Sequence, residues 1–107
     1  MTAGRVEARF ARLFLKLAEQ IGRLDRGGIF VAMPLTRKEL ADLTGTTIET
    51  TIRTMSRWQK DDVMRTEKDG FVIVDRSSLE STAESQARLL LRLRALLEHL
   101  AGGLDRS

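Results

Sequence analysis

The sequence predicts a mostly helical α+β fold with a small antiparallel β sheet and an extra helix at its C-terminal end. Three observations predict this fold class. Apolar residues recur at spacings of three and four in residues 5–22, in residues 36–62 and again in residues 75–100. Residues 63–74 place two runs of strand-forming residues on either side of an Asp-Gly turn signal. A length of 107 residues suits one domain with one modest core.

The composition excludes several classes of function. The chain has no cysteine, which rules out disulfides, thiol chemistry and cysteine-ligated metal centres and agrees with a reducing compartment. One histidine and no tyrosine leave few groups for acid–base catalysis, so we expect neither an enzyme nor a bound cofactor. Because the chain has no apolar run of 18 residues and no signal-peptide centre, we expect a cytoplasmic protein without a membrane span. The net charge of +3 suits a polyanionic partner.

Residues 5–22 predict a first amphipathic helix. Its apolar positions are Val6, Phe10, Leu13, Phe14, Leu17 and Ile21. Its basic residues, which fall mostly on the other side and are interpreted as a solvated face, are Arg5, Arg9, Arg12 and Lys16. The glycines that follow indicate a loop, and residues 29–33 then read as a short edge strand that Pro34 ends.

Residues 36–62 carry the central motif, two short helices joined by a tight turn. Thr36 followed by Glu39 is a capping-box start for the first helix. The apolar side of that helix consists of Leu40, Ala41 and Leu43. Gly45 stands where the chain must turn left-handed, and Thr46 and Thr47 then cap the second helix. This arrangement is typical of a helix-turn-helix, whose second helix enters the major groove of DNA.

The second helix separates its residues by angle. The residues expected to face inward are Thr51, Thr54, Met55 and Trp58. Glu49, Arg53 and Ser56 lie on the opposite side, where arginine can donate two hydrogen bonds to guanine and glutamate can accept one from cytosine. The alternative interpretation is a solvated ion pair between Glu49 and Arg53, one helical turn apart.

The motif resembles the DNA-binding domain of the Crp/Fnr family of bacterial transcription regulators over the stretch LTRKELADLTGTTIETTIRTMSRWQKDDVM. The matching positions are Leu35, Thr36, Arg37, Glu39, Leu40, Ala41, Gly45, Thr47, Glu49, Thr50 and Arg53. Residues 5–22 resemble the helix that leads into this domain, and residues 63–80 resemble its wing and closing helix. The resemblance covers roughly residues 5–84. The ligand-sensing half of the family is absent, and the tail after Glu84 is not typical of the family.

This resemblance implies a winged helix-turn-helix that binds double-stranded DNA and regulates transcription. The residues it implies for base reading are Glu49 and Arg53, helped by Ile48, Ile52 or Ser56. The residues it implies for the DNA backbone are Arg37, Lys38, Thr47, Thr50 and Lys68. For Thr47 the alternative is capping alone, and for Lys68 it is a solvated wing loop.

Three positions depart from the family pattern. Ile48 stands where a cyclic-AMP-type regulator has arginine, Ile52 where the family has a small or polar residue, and Thr51 where it has valine or isoleucine. One interpretation is that Ile48 and Ile52 contact thymine methyl groups. The other is a rotated helix in which Ile52 packs inward and Thr51 is less buried. We favour the unrotated helix, and in either case the preferred DNA sequence cannot be assumed from the family.

The tail, residues 85–107, predicts a separate leucine-rich helix that ends at Gly102-Gly103. Its three-four repeat consists of Leu89, Leu93, Leu96 and Leu100, and Leu90 and Leu97 widen the apolar side. Such a side needs a partner surface, either residues 5–22 of the same chain or a second chain. We therefore divide the chain into a DNA-binding domain, residues 1–84, and a dimerisation element, residues 85–107. His99 is interpreted as a residue at the solvent edge, not as a metal ligand.

A symmetric dimer would suit an inverted repeat with half-sites about one helical turn apart. Because the dimer helix of the Crp/Fnr family is missing, we expect a homodimer formed through the tail, with RNA polymerase as a candidate further partner. One alternative is a fragment whose dimer surface lies elsewhere. Another is a winged-helix module that binds a protein through an apolar patch at Ile48 and Ile52 and has no specific DNA site.

Overall fold

The computed structural model describes residues 2–105, and the side chains of residues 5–84 and 89–101. In chain order the elements are α1 (Thr2–Ile21), β1 (Gly22–Asp25), β2 (Gly28–Val31), α2 (Arg37–Thr44), α3 (Ile48–Lys60), β3 (Met64–Glu67), β4 (Gly70–Ile73) and α4 (Arg76–Asp105). The predicted α+β class is confirmed, and α2 and α3, followed by the β3–β4 hairpin, form a winged helix-turn-helix.

The four strands form one antiparallel sheet in the order β1-β2-β4-β3. The hairpin of β3 and β4 is the predicted wing, and Lys68 and Asp69 form its two-residue turn between the paired residues Glu67 and Gly70. A side chain at Gly70 would overlap the carbonyl oxygen of Val31 on the neighbouring β2 strand. Glycine at this position therefore allows the wing to pair closely with the rest of the sheet.

The strand predicted at residues 29–33 is present and lies beside the wing, but the predictions of its end and of its place at the sheet edge were wrong. The strand is β2, which ends at Val31 and lies inside the sheet, because residues 22–25, the first part of the predicted loop at residues 22–28, form the outer strand β1. The turn between them places Arg26 at φ 57° and Gly27 at φ 81°. This left-handed pair is the geometry that matches the twist of a tight hairpin.

Aromatic side chains join α1 to α3 and to the sheet. The Trp58 ring lies edge-on to Phe10 and Phe14 of α1, with ring centroids 6.3 and 6.4 Å apart. Phe14 also lies edge-on to Phe71 of β4 at 5.0 Å. Phe10, Phe14 and Phe71 are each at most 1% exposed. The apolar side of α1 is thus the platform on which α3 is held.

The C-terminal helix differs from the prediction. Residues 76–105 form one helix, so the closing helix and the leucine-rich helix are a single element, and Gly102-Gly103 does not end it. The side chain of Leu79 is fully buried and fixes the first turns of α4 in the core.

Helices α1 and α4 pack against each other. Strand β1 follows directly after Ile21, and α4 begins at Arg76, just after β4. At 1.5 Å per residue, the 30 residues of α4 span about 45 Å and the 20 residues of α1 about 30 Å. Helix α4 is therefore about 15 Å longer than α1, and the longest dimension of the molecule is 62 Å. Over the described residues, no helix has the length and hydropathy that crossing a membrane requires.

Candidate nucleic-acid interface

The start of α2 is fixed by a reciprocal pair of hydrogen bonds. The Thr36 hydroxyl accepts the backbone N–H of Glu39 at 3.0 Å, and the Glu39 carboxylate accepts the backbone N–H of Thr36 at 2.8 Å. The hydrogen bond that the Thr36 backbone N–H donates to the carboxylate, and after it the interaction with the Thr36 side chain, lower the pKa of Glu39. The predicted capping box is confirmed, and it fixes the direction in which Arg37 and Lys38 leave the helix.

The turn between α2 and α3 has the predicted left-handed glycine. Gly45 has φ 69° and donates its backbone N–H to the carbonyl oxygen of Ala41. The prediction for Leu43 was wrong, because its side chain is 60% exposed. Thr44 takes the inward position beside Leu40 instead, and its buried hydroxyl donates to the Leu40 carbonyl oxygen at 2.8 Å. A polar residue can thus face the core where its own helix supplies the acceptor.

Thr47 caps α3. Its hydroxyl oxygen accepts the backbone N–H of Thr50 at 3.1 Å, and the hydroxyl donates its proton to the Thr50 hydroxyl oxygen at 3.0 Å. The predicted cap is confirmed. Because Thr47 and Thr50 are bonded to each other, both hydroxyls lie together at the N-terminal end of α3, where the helix dipole favours an anion.

One side of α3 is locked in the core. Thr51 is fully buried, and Thr54, Met55 and Trp58 are at most 5% exposed. The Thr51 hydroxyl donates to the Thr47 carbonyl oxygen at 2.9 Å. An ion pair between Arg57 and Glu7 further joins α3 to α1. The orientation of α3 about its own axis is therefore fixed by packing, and it is the unrotated one.

The opposite side of α3 is exposed. It includes the residues predicted for base reading, which are Ile48, Glu49, Ile52, Arg53 and Ser56. Ile48 is 45% exposed and Ile52 is 48% exposed, so neither packs inward. Glu49, Ile52, Arg53 and Ser56 line one open groove along the helix. The surface carries apolar, cationic and anionic groups side by side.

A second recess lies between α1, the turn and the start of α3. It has a volume of about 400 Å³, and its cationic lining comes from Arg5, Arg9 and Arg53. Arg9 also donates from Nη1 to the Thr44 carbonyl oxygen at 3.1 Å, which ties α1 to the end of α2. The sequence interpretation assigned Arg5 and Arg9 to a solvated face. Their spacing of four residues was a signal that they share one side of α1, but it did not show which element faces them.

The predicted backbone-contact residues fall in three places. Thr47 and Thr50 lie at the start of α3, and Lys38 is exposed in the first turn of α2. Arg37 is half-buried and donates from Nη2 to the Thr66 hydroxyl of the wing at 3.1 Å, and burial lowers its pKa. Lys68 is exposed at the wing turn. Arg37 therefore connects the start of α2 to the wing.

An arginine that the sequence interpretation missed fixes the wing. The Arg26 guanidinium donates to both carboxylate oxygens of Asp69 at 2.7 and 3.0 Å and lies 4.0 Å from the centre of the Phe30 ring. The hydrogen bond from Arg26 lowers the pKa of Asp69. Arg65 donates to the Arg26 carbonyl oxygen at 2.7 Å. These contacts hold the tip of the wing against the β1–β2 turn.

Among the described residues, no group of three or more histidine, aspartate or glutamate side chains could hold a metal ion. The features that stand out are the exposed side of α3, the arginine-lined recess beside it and the wing. This combination offers donors for anions at two helix starts and a mixed surface between them.

Comparison with known proteins points to one family. A family model for the Crp-like helix-turn-helix domain matches residues 8–82. Similar solved structures include TTHB099, a transcriptional regulator of the CRP family from Thermus thermophilus, at 28% identity and a TM-score of 0.64. In that pair, 74% of this chain and 40% of that chain are covered. No curated protein matches this chain.

Two further structures have the same fold at lower identity. CprK in complex with OCPA has 20% identity and a TM-score of 0.68, with 73% of this chain and 38% of that chain covered. The CO-dependent transcription factor CooA from Carboxydothermus hydrogenoformans has 22% identity and a TM-score of 0.66, with 72% and 36% covered. The chain thus spans about two fifths of the length of these three proteins.

Proposed function

The chain belongs to the Crp-like helix-turn-helix domain family, and from this membership we propose that it binds double-stranded DNA at specific sequences and regulates transcription. One observation carries the proposal. The side of α3 that faces away from the core is exposed along its whole length, while the other side is fixed by buried residues. An α-helix held in this way can enter the major groove with a defined set of side chains facing the bases.

Arg53 is the principal base-reading residue of the proposal. Its guanidinium can donate two hydrogen bonds to guanine O6 and N7, and Glu49 can accept one from cytosine N4. Ile52 lies beside Arg53 in the same exposed groove and offers an apolar contact to a thymine methyl group. Ile48 and Ser56 extend this set by one turn in each direction. The two isoleucines favour a site that contains thymine in addition to guanine.

The DNA backbone is held on both sides of α3 in this proposal. Thr50 and Lys38 would donate to phosphate oxygens from two helix starts, where the backbone N–H groups already favour anions. Thr47, whose hydroxyl donates to the Thr50 hydroxyl oxygen, would support this contact by holding Thr50 in place. Lys68 would reach a phosphate from the tip of the wing, which the contact between Arg26 and Asp69 supports. These contacts would set the position of the protein on the duplex but carry no sequence information.

The arginine-lined recess supports the same arrangement. Arg53 lines both the recess and the exposed groove of α3. Arg5 and Arg9 therefore add positive charge next to the residue that is proposed to read guanine. A local concentration of cations at this position favours approach of a polyanion, even though the net charge of the whole chain is only +3.

Fluorescence anisotropy tests the proposal directly. A duplex with a Crp/Fnr-type inverted repeat, and a duplex enriched by selection from a random pool, are each compared with a scrambled duplex over a salt series. We expect tighter binding to the enriched duplex, and affinities that fall steeply with salt because phosphate contacts release counterions. Equal, salt-sensitive affinity for all duplexes would overturn sequence-specific reading. No binding at low salt would overturn DNA binding and favour a winged-helix module that binds a protein.

A further inference from the structure

The distal half of α4 carries a continuous apolar face. Its members, defined as the leucine stripe, are Leu89, Leu90, Leu93, Leu96, Leu97 and Leu100. Each is between 55% and 63% exposed. At 100° per residue all six fall within about 120° of the helix circumference. No described residue of the chain covers this face, because every described residue from 89 to 101 is exposed.

The leucine stripe is larger than isolated surface leucines would explain. Burying a leucine side chain removes on the order of 100 Å² of apolar surface from water, so six that are more than half exposed present roughly 350 Å² on one face. Contiguous apolar patches of several hundred Å² on soluble proteins mark interaction surfaces. Two copies of the stripe would bury roughly 700 Å², and the stems of the flanking side chains would have to supply the rest of the roughly 1,200 Å² at the lower end of stable interfaces.

We propose that the leucine stripe is a homotypic interface on which a second copy of this chain packs in the antiparallel direction. The spacing of its central members supports a second copy. Leu89, Leu93, Leu96 and Leu100 are separated by four, three and four residues, the seam of a two-helix coiled coil. This series reads the same in both directions. A two-fold axis between Leu93 and Leu96 therefore places each of the four against a leucine of the other copy.

The flanking residues favour the antiparallel direction over the parallel one. In an antiparallel pair, each edge of the leucine seam faces the same edge of the second copy. Leu90 then lies against Leu97 of the second copy, and on the other edge Arg92 lies near His99 of the second copy. In a parallel pair Leu97 would lie against Arg92 of the second copy, which leaves apolar surface beside a charge. Arg94, which binds Glu98 at 3.2 Å, lies outside the seam in both arrangements. Antiparallel helices also align their dipoles favourably.

This arrangement places the two winged helix-turn-helix units, each formed by α2, α3 and the β3–β4 hairpin and called a winged unit, at opposite ends of the paired helices. The two-fold axis lies 18 to 19 residues after the start of α4, so the two starts are roughly 56 Å apart at 1.5 Å per residue. The inference does not rest on DNA binding, since it concerns a face that is remote in sequence from α3. It can fail or hold independently of the proposed function.

The oligomeric state without DNA is the first test. We expect the full chain, with a monomer mass of 12.0 kDa, to sediment as a dimer at tens of micromolar and to dissociate on dilution. Leu93→Glu should weaken the dimer at least 100-fold and leave the helical circular dichroism spectrum unchanged. The matched control is Leu91→Glu, since Leu91 is 64% exposed but lies on the opposite side of α4. A monomeric parent chain, or equal loss in both variants, would overturn the proposal.

Disulfide trapping tests whether the two α4 helices pair in the antiparallel or the parallel direction. The chain has no cysteine, so each introduced thiol is the only one in its chain. A mixture of Leu89→Cys and Leu100→Cys chains should form the mixed disulfide on mild oxidation, while Leu89→Cys alone should remain mostly uncrosslinked. Efficient trapping of Leu89→Cys alone would show a parallel pair and overturn the antiparallel interface. Absence of the mixed disulfide in a chain that sediments as a dimer would also overturn it.

Discussion

The hydroxyl of Thr51 donates a 2.9 Å hydrogen bond to the carbonyl oxygen of Thr47, one turn earlier in α3. The Thr51 side chain is fully buried, so this bond is what allows a polar residue at that position. The same carbonyl oxygen also accepts the Thr51 backbone N–H at 3.1 Å. Packing of Thr51 inward directs Ile52, the next residue, to the surface.

Thr51→Val should leave the fold intact. Valine has nearly the same shape, and the Thr47 carbonyl oxygen keeps its backbone hydrogen bond, so the free energy of unfolding should change by less than about 1 kcal/mol. Thr51→Ala removes buried methyl contacts and should cost about 1 kcal/mol or more. Urea denaturation of the two variants measures both. Equal and large losses would show that the hydroxyl, not the packing, orients α3.

Arg53→Ala should lower the affinity for the best DNA site by about 1–3 kcal/mol and relax its base preference, because the two hydrogen bonds to guanine are lost. Anisotropy on the preferred duplex and on single-base variants of it measures both effects. Arg94→Ala is the matched control, since it removes the same charge from α4. Unchanged affinity of Arg53→Ala for the preferred duplex would remove Arg53 from the proposed reading set.

Lys38→Ala should weaken binding to every duplex by a similar factor. Lys38 is exposed in the first turn of α2, where a phosphate contact releases a counterion but reads no base. The slope of log affinity against log salt should become shallower by about one unit. A salt series on a specific and a scrambled duplex measures this. A change in base preference without a change in slope would contradict a phosphate contact.

The contact between Arg26 and Asp69 should make the wing sensitive to acid. The hydrogen bond from Arg26 lowers the pKa of Asp69 in the folded chain, so between that pKa and the ordinary value near 3.9 the unfolded chain binds more protons. The contribution to stability is therefore fully present above about pH 4 and is lost as the pH falls through the folded pKa.

Urea denaturation from about pH 2.5 to about pH 7 measures this dependence. The stability difference between the parent chain and Asp69→Asn should be constant near neutral pH and should shrink in acid. Asp42→Asn is the control, because this exposed carboxylate of α2 is remote in sequence from the wing contact. A difference that stays constant down to the lowest pH would show that the contact with Arg26 does not contribute.

The parts of the fold that sequence alone predicted are those with local causes. The capping box of Thr36 and Glu39 and the left-handed Gly45 each depend on residues within one turn of the chain. The wing turn at Lys68 and Asp69 is similarly local. Short-range hydrogen bonds and backbone sterics decide all three, so their residue types are sufficient evidence.

The parts that sequence missed depend on distant partners. Strand β1 has no apolar alternation, and its Leu24 is 89% exposed, so only pairing with β2 makes it a strand. Arg26 takes a left-handed conformation that arginine rarely adopts, in a turn held by Asp69 of the wing. Arg9 meets the end of α2 only after α1 and α2 have packed.

Helix α4 is unbroken, so the number of residues between Leu79 and the leucine stripe sets the angle about the helix axis between the stripe and the core of the winged helix-turn-helix. Insertion of one residue there would turn the stripe by about 100° relative to the winged unit and shift it by about 1.5 Å. Insertion of seven residues would turn the stripe by about 20° less than two full turns, so that it faces almost the original direction, and would move it outward by roughly 10 Å. Spacing along this helix therefore encodes the relative orientation of whatever its two ends bind.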